Sequence, residues 1–141
     1  MKISILALSL LLPFHAHALE AMKCNTMSGK TLWAGFGRIV RSGDPAPTYF
    51  PIEFTVFKSR TELQDRVYFE RTKDSLAIPV LVSQYSISFS FPAKNGAETQ
   101  IEDFNLRIYS PRDAKAFRGT WTTIRSDGSR TGEIVNCSVY R

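Results

Sequence analysis

Histidine is almost missing from this chain. His15 and His17 are the only two, and both lie in a segment that reads as removable. The first 18 residues carry one cation, Lys2, then an apolar run from Ile3 to Phe14, then Ala16-His17-Ala18. A short positive start, an apolar run too short for a stop-transfer helix and an A-x-A site mark a secretory signal peptide. Met1 to Ala18 is therefore expected to be cleaved, leaving a mature chain that starts at Leu19 and has no histidine. Such a chain has no base for a Ser-His-Asp or Cys-His constellation. The imidazole ligands of most catalytic zinc sites are missing too.

Cysteine is equally scarce: Cys24 and Cys137 are the only two. None follows the cleavage site directly, so a lipoprotein anchor is not expected. Past the leader there is no run apolar enough to cross a membrane. The expected product is soluble and exported, to a bacterial periplasm by preference and secreted outright as the alternative. Two cysteines in an exported chain read as one disulfide. That bond requires Cα atoms within about 7 Å, which puts the first strand near the last. A loop this long is worth up to ~4–5 kcal/mol on the chain-entropy account.

Phosphate-binding glycine loops are absent as well. Gly35-Phe36-Gly37 is only a GxG inside a strand pattern with no helix after it, so no nucleotide site is read there. No cofactor and no metal are expected. Runs of one charge sign do not occur. The 17 basic and 13 acidic residues left after Lys2 departs give a formal charge of +4. That is modest, and its cations are not interleaved with aromatics in a recognisable motif, so nucleic acid is not an expected partner. About 123 residues remain, which fits a single domain, residues 19–141, able to bury roughly two thirds of its unfolded surface.

What is present is alternation. Tyr85, Ile87, Phe89 and Phe91 alternate with Ser86, Ser88 and Ser90, the pattern of a strand with one dry face. Asn95-Gly96 turns the chain. Ile101 to Tyr109 returns with Phe104, Leu106 and Ile108 inward and Asp103, Asn105 and Arg107 outward. Leu32, Ala34 and Phe36 share a face opposite Trp33, Gly35, Gly37 and Ile39; the interior glycines point to bending or to a bulky neighbour at close range. Phe50, Ile52, Phe54 and Val56 form one face of the next strand, with Pro51 near its start. Ser59 to Asp74 is ambiguous. Ser59-x-x-Glu62 matches a capping box and Glu62 with Arg66 a helical ion pair, yet Val67 and Phe69 alternate as in a strand. Leu76 to Val82, with Pro79 inside, reads as a short edge strand or an extended connection.

The last stretch, Ala116 to Arg141, holds Asp127-Gly128, a strong hairpin signal. As a two-residue loop it pairs Arg125 with Arg130, Thr123 with Gly132 and Trp121 with Ile134. The expected class is all-β and antiparallel: a single meander barrel of about eight strands with at most one short helix, closed by the terminal disulfide. A β-sandwich is the alternative.

Carboxylate chemistry has few handles. Glu102 and Asp103 are adjacent in a strand and so point to opposite faces, which is not a facing acid–base pair. Glu133 sits in the last strand. The remaining candidates are binding residues. Arg125 and Arg130 on one face of the hairpin tip form a fork for an anion. Trp121 and Trp33 are candidates for a cavity wall, with core packing the plainer role of Trp121. The two ends, Met22-Lys23-Cys24 and Val135-Asn136-Cys137, framing a small exported β-domain, resemble bacterial inhibitors of C-type lysozyme. The inhibitory Ser-Gly-Arg-Tyr loop of that family is not matched: Gly128-Ser129-Arg130 is followed by Thr131. No family is assigned on this likeness. The expected function is non-catalytic binding of a protein partner or of a small anionic or apolar ligand. An inhibitor or immunity-type protein is the alternative, and a carboxylate hydrolase using Glu102 or Glu133 a third.

Overall fold

Period-two alternation lets a strand bury one face, and most of the nine strands among the described residues use it. The computed structural model describes residues 19–69, 78–110 and 112–140. The expected signal peptide lies outside them, as does the part of the ambiguous segment beyond Phe69. The strands are β1 (Ala21–Thr26), β2 (Thr31–Ile39), β3 (Thr48–Phe57), β4 (Leu63–Tyr68), β5 (Leu81–Val82), β6 (Ser86–Asn95), β7 (Glu98–Ser110), β8 (Asp113–Ile124) and β9 (Arg130–Tyr140). They form one sheet in the order β4-β3-β2-β1-β9-β8-β7-β6-β5, with every ladder antiparallel. No helix occurs among the described residues, so none there is long and apolar enough to cross a membrane.

The first strand does lie against the last. Cys24 and Cys137 are direct cross-strand partners in the β1–β9 ladder. Their Cα atoms are 4.0 Å apart and the disulfide is formed across a separation of 113 residues.

The barrel is not formed. β4 and β5 are the edge strands and no ladder joins them among the described residues; only an isolated antiparallel bridge, Tyr49 with Val80, links β3 to the residue before β5. The sheet rolls over instead, in keeping with the sandwich-like alternative. Phe54 of β3 meets Phe91 and Phe89 of β6 at 4.5 and 5.2 Å between ring centroids, and Phe36 of β2 meets Phe89 at 5.6 Å. These edge-on and tilted contacts are each worth about 0.5–1.5 kcal/mol beyond area burial. Across the gap a side chain does what a ladder would: the Lys94 amide of β6 donates to Asp65 Oδ2 of β4 at 2.6 Å. Closure fails because β5 is two residues long. In addition, β6 carries Pro92, which a ladder tolerates only with its nitrogen toward a free edge.

One ambiguity resolves and one expectation changes. The segment after Ser59 is a strand where it is described: Leu63–Tyr68 pairs with β3. Glu62 pairs with Lys58 at 3.8 Å, while Arg66 reaches across the ladder to Glu53 at 3.4 Å. Tertiary pairing has overridden the local helical spacing. In β3 the register slips opposite Gly35 and Phe36, whose partners are Glu53 and Pro51. Ile52 is the extra residue of this bulge. It is 47% exposed while Pro51 is buried, so the expected Phe50–Ile52–Phe54 face is broken in its middle. The glycines of β2 behave as expected. Gly37 lies opposite Phe50, whose ring fills the space a Cβ would need.

Candidate functional site

The outcome at the last hairpin decides most of the sequence-based site. Arg125 N donates to Ser129 O, and Gly128 N donates back to Arg125 O. Gly128 has φ +84°. The loop is therefore three residues, Ser126-Asp127-Gly128, with glycine in the left-handed position. The ladder pairs Ile124 with Arg130, Thr123 with Thr131, Trp121 with Glu133 and Arg118 with Asn136. A one-residue slip sends side chains to the other face. Arg125 and Arg130 are thus not partners, and the expected anion fork at this tip is not assembled. Arg125 faces carboxylates instead. Glu98 Oε1 accepts from the Ser126 amide and hydroxyl at 3.0 and 2.8 Å, and these bonds, helped by Arg125, hold its carboxyl below the usual range. Asp127 is lowered by its bonds from Ser129 and again by Arg125.

The two tryptophans part company as well. Trp121 is 1% exposed and Trp33 is 43% exposed. They lie on opposite faces of the sheet and line no common cavity. Trp121 sits in the core, with its ring centroid 4.7 Å from that of Phe104.

The inner face also holds a carboxylate with no access to water, the only one among the described residues. Glu102 is 0% exposed. Its Oε2 accepts from Trp121 Nε1 at 2.6 Å and from Thr123 Oγ1 at 2.7 Å; its Oε1 accepts from Gln64 Nε2 at 3.4 Å. Lys30 continues this chain toward the surface. Its Nζ donates to Thr123 Oγ1 at 3.3 Å, lies 4.2 Å from the Trp121 ring and pairs with Glu133 at 3.7 Å. Ser28 donates to Glu133 in turn. A buried carboxylate survives only when it is hydrogen-bonded, and every donor around it is engaged. The arrangement plugs the end of the core at the β1–β2 turn. Glu102 has no exposed surface within this arrangement.

Aromatic and basic side chains gather on the outward face. Trp33, Lys23, Asn25 and Tyr140 all project from it. Trp33 and Lys23 are direct cross-strand partners, and Tyr140 pairs with Ala21 next along β1. The Trp33 and Tyr140 rings are near-parallel, 18° apart, with centroids at 6.4 Å. Lys23 Nζ lies 4.8 Å from the Trp33 ring and has no carboxylate partner among the described residues. Beside this cluster runs an open groove of about 580 Å³, lined among others by Lys23, Asn25, Met27, Trp33, Phe57 and Arg60. Met27, at its rim, is 96% exposed. No acidic residue lines it. Sequence reasoning singled out Trp33 but missed Lys23, Tyr140 and Arg60. Alternation alone placed Trp33 outward, whereas its neighbours depend on the β1–β9 and β1–β2 registers.

Comparison with protein-family models, with curated proteins and with solved structures found no match. Among the described residues no cluster of three or more His, Cys, Asp or Glu side chains is arranged to hold a metal ion.

Proposed function

We propose that this protein is an exported, non-catalytic binding module that holds its partner on the outward face of β9, β1 and β2. Trp33, Tyr140 and Lys23 are the contact residues and the groove beside them is the flank. The observation that carries the reading is the exposure of Trp33 and Tyr140, 43% and 49%, stacked beside an unpaired cation. Tryptophan and tyrosine give large contact area at small entropic cost, and they are enriched where interfaces concentrate their energy. A leader removed after Ala18 puts this face outside the cytoplasm, with the periplasm as its place. The disulfide supports that assignment, because such bonds persist in oxidising compartments.

The test starts from the full chain expressed in a bacterium. The exported product should have an intact mass that begins at Leu19. It is then immobilised and exposed to a cell-envelope extract, alongside the W33A/Y140A double variant. The expected result is a component retained by the parent and lost by a variant that melts like the parent. Equal retention by both, or a product that keeps His17, overturns the corresponding half of the proposal.

A further inference from the structure

The β7–β8 ladder sets Arg107 directly opposite Arg118, a pairing that sequence alternation could not reveal. Both are exposed. Directly opposed side chains have Cβ atoms about 4.5–5.5 Å apart, and like charges there are destabilising. The usual relief is a neighbouring carboxylate, and neither guanidinium has one among the described residues. Arg118 is steadied instead by the Tyr109 ring, 5.7 Å from its Cζ. Two cations held together without an anion leave room for one from outside.

The same register continues across the sheet. Arg107, Arg118, Asn136, Asn25 and Thr31 are successive partners over β7, β8, β9, β1 and β2. Ser138, Lys23 and Trp33 form the adjacent row. Among the described side chains, the outward positions of β8, β9, β1 and β2 include no acidic residue, and on β7 that face carries Asp103, four residues from Arg107. From Arg118 to the strand of Trp33 is three strand spacings, roughly 14 Å at about 4.8 Å each. That span suits an oligomer. Between the arginine pair and the aromatic pair the surface offers amides and hydroxyls, which bond sugar hydroxyls and do not form the dry apolar core of a protein–protein interface. Cations stand at the two ends, with neutral groups between them. A nucleic acid would present a charge at every nucleotide to this neutral stretch, whereas a glycan with spaced acidic groups would not.

We infer that the outward face binds an anionic glycan. Arg107 and Arg118 grip one carboxylate or phosphate in bidentate fashion, and a sugar ring rests on Trp33 and Tyr140. This inference rests on the proposed binding face and supplies its ligand class.

The test is calorimetric titration of the full exported protein at low and high salt. The probes are a hyaluronan hexasaccharide, neutral chitohexaose of the same length, inorganic phosphate and a single-stranded oligonucleotide. The expected outcome is that the hyaluronan fragment binds tightest and loses affinity by about tenfold or more in R107S/R118S. A comparable loss is expected in W33A, with the melting temperature of R107S/R118S not lowered and that of W33A within a few degrees of the parent's. Phosphate alone should bind weakly and only through the arginine pair. Any of three results overturns the inference: no binding of the hyaluronan fragment, equal binding of chitohexaose, or preference for the oligonucleotide. If the hexasaccharide fails while W33A/Y140A still loses an envelope component, the glycan assignment falls and the binding face stands.

Discussion

The two faces of β8 and its neighbours meet opposite demands with similar residue types. Inward, Trp121 is sealed against Phe104 and donates to Glu102, a carboxylate without water. Outward, Trp33 lies half in solvent, beside a lysine with no carboxylate partner among the described residues. Each tryptophan has a cation close to its ring: Lys30 at 4.2 Å and Lys23 at 4.8 Å. The difference lies in what each lysine does with its charge. Lys30 is tied to Glu133 and, through Thr123, to Glu102. Lys23 is not. The ring and the cation alone do not say whether such a pair holds a fold together or waits for a partner. The carboxylates around them do.

The largest expected effect comes from breaking the inner side. Trp121→Ala leaves a cavity and strands the Glu102 oxygen, and should cost about 3–5 kcal/mol. Trp33→Ala should cost at most about 1 kcal/mol, since half-exposed positions without buried partners are tolerant. Chemical denaturation of the two variants measures both. Similar losses would erase the distinction drawn between the faces.

The disulfide gives the next effect. It joins residues that the β1–β9 ladder already pairs. C24S/C137S should therefore keep the fold and lose about 2–4 kcal/mol, mostly through a less restricted unfolded chain. Denaturant midpoints together with a circular dichroism spectrum check both parts. Loss of the strand signal would show that the ladder depends on the bond.

The strand pattern was legible in the sequence wherever one face is dry and the other wet. The Ile87–Phe89–Phe91 and Phe104–Leu106 faces are buried as alternation requires, and the two cysteines alone sufficed to place the first strand beside the last. What was not legible is register. Asp127-Gly128 permits a two- or a three-residue loop. The three-residue one forms, and it separates Arg125 from Arg130. At the β6–β7 turn Asn95 stays in the ladder opposite Glu98 and the loop is the two residues Gly96-Ala97, with φ +63° at Gly96, so the dipeptide alone does not say which residues form the loop. The Arg107–Arg118 pairing depends on how β7 and β8 are joined, with a register shift between Ile108 and Ser110, and no local signal sets it. The open gap between β4 and β6 rests on contacts between residues far apart in the chain, so alternation could not tell it from a closed barrel.

The smallest expected effect is at the hairpin tip and sharpens the contrast between tied and untied charges. Glu98 and Asp127 have carboxyls below their ordinary values of 4.5 and 3.8, because serine donors bond the ionised forms. Their contribution is complete above those ordinary values and fades as pH falls through the lower folded ones. The amide resonances of Ser126 and Ser129, followed from neutral pH into acid, should titrate with midpoints below 4.5 and 3.8 respectively. Midpoints at or above those values would show that the serine bonds are not made in solution. Asp127 is exposed and Glu98 only partly buried, so global stability should hardly register the change.

The position of the covalent bridge has a mechanical meaning. Cys24 and Cys137 face each other in neighbouring antiparallel strands. A pull applied through the segments that precede Cys24 and follow Cys137 would therefore run directly from one sulfur to the other. Of the sheet, only the short ends of β1 and β9 outside the bridge would be peeled. The chain between the cysteines, which are 113 positions apart, would carry no load. While the bond is oxidised, the protein is a slack loop hung from a single clasp, and a ligand on its outward face would be insulated from tension on the chain.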